Sequence, residues 1–180
     1  ADYDAVDVRL GGTDVASFNL DASDNIIFNG TADYESAQKS YSIEVIATDR
    51  GGLTDTQSLT ISVNDVNEAP EFGNPTGGTQ NNVDLANGSI EVSISENANI
   101  NDVVTQLTAS DDDLDTLTFT SDSSSTGYSI FSVGSTSGEI TTASSLDYET
   151  TSSYQLSVKA NDAQLYDQLT IDINVLDVNE

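Results

Sequence analysis

Apolar and polar residues alternate one by one along several stretches of this chain. Tyr41, Ile43, Val45 and Ala47 alternate with Ser42, Glu44, Ile46 and Thr48, with Ile46 the one apolar exception. Leu59, Ile61 and Val63 alternate with Ser58, Thr60 and Ser62. The pattern returns at Tyr154, Leu156, Val158 and Ala160, and again at Leu169, Ile171, Ile173 and Val175. Ile90, Val92 and Ile94 form a further run, and Leu117 with Phe119 another. A period of two places every second side chain on one face, so these runs predict strands with one buried side. Arg50-Gly51-Gly52-Leu53 lies between two of them and predicts a hairpin connection. Residues 73–82 are rich in Gly, Asn and Thr and predict a loop. No helical period extends beyond a turn or two, so the fold class expected is all-β, of the sandwich type.

The pattern is written twice. Asp33-Tyr34-Glu35 recurs as Asp147-Tyr148-Glu149, and Asp65-Val66-Asn67-Glu68 as Asp177-Val178-Asn179-Glu180. Ile43 to Asp49 matches Leu156 to Asp162, and Phe18 matches Phe131, all at an offset of about 113 residues. A period that long is a whole sandwich domain of about 100 residues, not a solenoid turn. Pro70 favours extended backbone just before it, after a strand has ended, and places the boundary there. The expected organisation is repeat 1 over residues 1–68 and repeat 2 over residues 69–180. About 40 residues of repeat 2 precede Asp111, whereas almost none precede the matching Asp2, so repeat 1 is expected to be N-terminally incomplete.

Composition narrows the chemistry. There are 31 acidic residues against four basic ones, for a formal charge of −27. Such a chain repels nucleic acid and anionic membranes. No stretch approaches the roughly 18 apolar residues of a membrane span. Cysteine and histidine are both absent, which removes disulfides, thiolate metal sites and the usual general base. No nucleophile–base pair, phosphate loop or basic patch is visible, so an enzyme is not expected. The acids are either a solvated surface or ligands for a hard cation, which prefers carboxylate and carbonyl oxygen.

Their order favours the second reading. Repeat 2 carries Glu96-Asn97, Asp111-Asp112-Asp113, Asp147-Tyr148-Glu149, Ala160-Asn161-Asp162 and Asp177-Val178-Asn179-Glu180. Repeat 1 carries Asp2-Tyr3-Asp4, Asp33-Tyr34-Glu35, Ala47-Thr48-Asp49 and Asp65-Val66-Asn67-Glu68-Ala69-Pro70. Each motif alone is weak, since Asp is an ordinary turn residue. Five in order, and then four again, closely resemble the cadherin repeat. The linker is one residue shorter than the animal pattern and has Glu68 where Asp is usual. That form is similar to cadherin-like repeats of microbial surface proteins.

The resemblance implies tandem immunoglobulin-like Greek-key sandwiches, extracellular location and calcium between successive repeats. It implies an inter-repeat set made of Asp33, Glu35, Asp65, the Val66 and Asn67 carbonyls, Glu68, Asp111, Asp113 and Asp162. It implies an N-terminal half-site of Asp2, Asp4 and Asp49. It also implies a C-terminal half-site of Glu96, Asp147, Glu149, Asp177, Asn179 and Glu180. Asp112 and Asp115 read equally as turn residues, and Tyr34 and Tyr148 as packing residues. The expected function is a calcium-rigidified array in a large surface protein or filament. Its partners would be neighbouring repeats and a homophilic or heterophilic protein. Carbohydrate binding, a plain spacer on a secreted enzyme, and polymerisation by strand donation are the alternatives. Asn29-Gly30-Thr31 and Asn87-Gly88-Ser89 match the glycosylation sequon, a common coincidence in a Ser/Thr/Asn-rich chain.

Overall fold

A computed structural model describes residues 6–179. The chain forms two compact units, Ala1–Val66 and Asn67–Glu180. The division falls two residues before the expected boundary. The physical reason is that Asn67 and Glu68 hydrogen-bond to Asp162 and Asp113 of the second unit.

In the first unit, β1 (Asp7–Gly11), β4 (Ser40–Thr48) and β5 (Thr54–Ser62) form an antiparallel sheet in the order β1-β4-β5. A second pair joins β2 (Phe18–Leu20) to β3 (Ile26–Phe28). The predicted hairpin turns between β4 and β5, where Gly52 adopts φ +86°. Phe18, Tyr41 and Ile43 are the buried core, and the rings of Phe18, Phe28 and Tyr41 meet with centroids 5.1–5.6 Å apart.

The second unit is larger. One sheet has the order β10-β13-β14-β8-β7: β10 is Thr118–Ser121, β13 Ser153–Asn161, β14 Tyr166–Leu176, β8 Ser89–Ser95 and β7 Thr79–Asp84. The facing sheet has the order β11-β12-β9-β6: β11 is Phe131–Val133, β12 Glu139–Thr142, β9 Val103–Ser110 and β6 Glu71–Thr76. All pairs are antiparallel except β8 with β14. Ile90, Val92, Val104, Ile140, Leu156, Val158, Ile171 and Ile173 from the two sheets form one cluster with exposures of 0–1%. Each such side chain contributes about 1.5–3 kcal/mol by leaving water. The alternation read from sequence is the alternation observed, with burial pattern eieBiBeBiBe along β14.

Residues 73–82 are not the expected loop. They belong to β6 and β7, which place one edge strand on each sheet. The crossing is made at Gly77 and Gly78, both at positive φ (+69° and +66°). A Cβ on Gly78 would lie 1.8 Å from the Val104 carbonyl oxygen, so only glycine fits.

Candidate metal centres of the second unit

The ends of β9 and β13 and the segment ahead of β6 converge on one end of the second unit. Asp111 follows the last residue of β9 and is 7% exposed. Its Oδ1 accepts from the Asp115 N–H at 3.3 Å. Its Oδ2 is buried and has no hydrogen-bond donor. Asp162 follows β13, and its Oδ1 accepts from the N–H groups of Gln164 and Leu165, each at 2.6 Å. Its Oδ2 accepts from the Asn67 side-chain amide at 2.7 Å. Gln164 closes the loop by donating to Asn67 Oδ1 at 2.7 Å. The Glu68 N–H donates to Asp113 Oδ2 at 2.9 Å.

Charge at this end is held in its ionised form by hydrogen bonds. The Asp162 carboxyl lies below the usual carboxylate range, chiefly because of the Asn67 side chain and then the Leu165 N–H, with burial opposing. Asp111 Oδ2 is the exception. A buried carboxylate oxygen with no donor is costly to desolvate unless a cation meets it. The donors here are all oxygen and mostly anionic, the chemistry of a hard divalent cation such as calcium. The residues present fit that ion.

The opposite end of the same unit gathers a second set. Glu96, just after β8, is 7% exposed. Its Oε2 accepts from the Tyr148 N–H at 2.8 Å and its Oε1 from the Val178 N–H at 2.6 Å. Carboxylate oxygens of Glu96, Glu149 and Asp177 lie within 4.8 Å of one another. Three carboxylates that close repel unless a cation sits among them. Asp147 plays a different part: it accepts from the Thr150 hydroxyl at 2.7 Å and the Thr150 N–H at 2.9 Å, which lowers its pKa. It therefore closes its own turn. Asn179 is exposed.

In the first unit the matching residues repeat these local roles. Asp33 Oδ1 accepts from the Ser36 N–H at 3.1 Å, as Asp147 does from Thr150. Asp49 Oδ1 accepts from the Leu53 N–H at 2.9 Å, as Asp162 does from Leu165. Glu35, Asp65 and Val66 are exposed. Tyr34 lies under the Lys39 ammonium, 3.8 Å from ring centroid to nitrogen, a packing role. Asp2, Asp4 and Glu180 lie outside the described residues. Sequence reasoning missed Gln164 and the hydroxyls of Ser36 and Thr150. The latter were visible as the residue three after each Asp, a turn pattern in its own right.

Paired sandwich units with ordered acids at strand ends define an extracellular, cell-surface adhesion module. The cadherin-domain family profile matches residues 90–176, and the chain belongs to the cadherin family. It is 32% identical over 178 residues to mouse Protocadherin Fat 2, covering 94% of this chain and 4% of that protein. It is 35% identical over 157 residues to human Protocadherin-1, covering 82% of this chain and 14% of the relative. It thus spans a small part of these adhesion proteins. Among solved structures, human Protocadherin-24 EC1-2 matches with a TM-score of 0.63 at 19% identity, over 98% of this chain and 84% of that one. The Protocadherin GammaB4 extracellular domain matches at 0.62 and 25% identity, over 97% and 27%. Among the described residues no helix is long and apolar enough to cross a membrane.

Proposed function

We propose that this chain is a calcium-dependent structural and adhesion module, in which calcium bound between successive cadherin repeats stiffens a tandem array. The observation that carries the reading is Asp111 Oδ2, a buried and unpartnered anionic oxygen beside Asp113, Asp162 and the Asn67–Glu68 segment. Calcium would supply the counter-charge there. Asp111, Asp113, Asp162, Glu68 and the Asn67 carbonyl would hold it from the second unit. Asp33, Glu35, Asp65 and the Val66 carbonyl would be the first unit's contribution. The Glu96, Glu149 and Asp177 cluster, with Asp147, Asn179 and Glu180 nearby in sequence, would serve the junction with a following repeat. Asp2, Asp4 and Asp49 would serve the junction with a preceding one.

The protein's own residues explain why the ion matters. Asn67 and Glu68 are already tied to the acids of the second unit, so the linker is half of the site before any ion binds. Extracellular modules bind calcium at about 10⁻⁴–10⁻³ M, which suits that compartment. Without it, the clustered carboxylates repel and the linker loosens. Small-angle scattering tests the reading: millimolar calcium should give a longer, stiffer particle than chelator. Identical dimensions in both would count against it. Neighbouring repeats are the immediate partners under this reading, and a homophilic or heterophilic protein is the distal one.

A further inference from the structure

The two units can be superposed strand by strand in register, and the comparison exposes an open face in the first. β1, β4 and β5 correspond to β10, β13 and β14, paired in the same order. β2 and β3 correspond to β11 and β12. In the second unit the far edge of β14 carries β8, running parallel, with Ile171 opposite Ile90, Ile173 opposite Val92 and Val175 opposite Ile94. The far edge of β12 carries β9. Among the described residues, β5 and β3 have no partner on the corresponding edges.

The apolar side chains are present nonetheless. Ile43 pairs with Leu59 as Leu156 pairs with Ile171, so Leu59, Ile61 and Val63 stand where Ile171, Ile173 and Val175 stand. The latter three are 0%, 0% and 3% exposed, whereas Leu59, Ile61 and Val63 are only half-buried. Ile26 is 37% exposed where its counterpart Ile140 is 0%. An apolar groove of about 290 Å³ lies along this face, lined by Phe28, Ala32, Tyr41, Ile61 and Val63. In the second unit the Thr170 N–H already donates outward, to the Gly88 carbonyl. By the same alternation the N–H groups of Ser58, Thr60 and Ser62 point outward from β5.

We propose that this face is an acceptor for one kind of partner: an extended strand of the β8 pattern, with apolar residues at alternate positions, running parallel to β5. The sheet edge would supply the backbone ladder and the groove the side-chain specificity, the general mode of strand addition. The occupant's chemistry comes from β8 itself, whose Ile90, Val92 and Ile94 bury the equivalent face in the same chain. The proposal is independent of the calcium reading.

The test uses the whole chain and a synthetic peptide of residues 88–98. Hydrogen exchange at Ser58, Thr60 and Ser62 should slow by about tenfold or more with saturating peptide, while exchange along β14 stays unchanged. The peptide carrying Ile90→Ser, Val92→Ser and Ile94→Ser should give no protection. Equal exchange with and without the native peptide would overturn the proposal. So would protection by both peptides, or concentration-dependent self-association that the native peptide does not displace, which would put a second copy on this edge.

Discussion

The Val178 N–H donates to Glu96 Oε1 at 2.6 Å, binding the segment after β14 to the turn after β8. Glu96 thereby does two jobs. It closes two loops through the Val178 and Tyr148 N–H groups, and it presents a negative charge beside Glu149 and Asp177.

Glu96→Ala should destabilise the second unit by about 2 kcal/mol in chelator, because hydrogen bonds to a charged group contribute about 1.5–3 kcal/mol and relief of repulsion offsets part of the loss. Glu149→Gln, at an exposed position of the same cluster, should stay within about 0.5 kcal/mol. Urea unfolding of both variants without calcium separates the structural role from the ionic one.

Acid should weaken the end of the second unit that holds Asp162. Its pKa is lowered in the folded state, first by the Asn67 side chain. An unfolded Asp titrates near pH 3.9, so the contribution is complete above about pH 5 and is lost as pH falls through the lower folded pKa. Asn67→Ala should move the Asp162 titration upward, toward the ordinary range. Carboxyl NMR titration of the wild type and variant reads this directly, and an unmoved midpoint would break the link.

Gly77 and Gly78 should differ sharply on substitution although both have positive φ. At Gly77 a Cβ meets nothing within 4 Å, so Gly77→Ala should cost about 1–2 kcal/mol from backbone strain alone. At Gly78 it collides with the Val104 carbonyl, so Gly78→Ala should cost clearly more and open the β6–β7 crossing. Thermal melts of the two single variants compare them.

Much of this architecture was legible because buried faces leave a period of two. β4, β8, β13 and β14 were read from their apolar alternation, and each proved to be a strand. β6 and β7 were missed for the converse reason. They are edge strands, β7 is largely exposed, and a strand that buries little leaves no alternation to read. Pro75 and the Gly pair also carry the signature of a turn. The acids were legible as an ordered set, yet their division of labour was not. Asp147 closes a turn through Thr150, whereas Asp111 keeps a bare buried oxygen. Asn67 finds Asp162 across 95 residues, a pairing that only the folded sheet order creates.

The measurement that bears most directly on the calcium site is a thermal melt of the chain in calcium, in chelator and in magnesium. An ion that binds only the folded state at 100 times its dissociation constant adds about 2.7 kcal/mol. The account predicts a clear rise in the melting midpoint with calcium, lost in chelator and much smaller with magnesium, whose near-octahedral demand suits these carboxylates poorly. Asp111→Asn should abolish most of that rise. Identical midpoints in all three conditions would contradict the account and leave the ordered acids as a solvated surface.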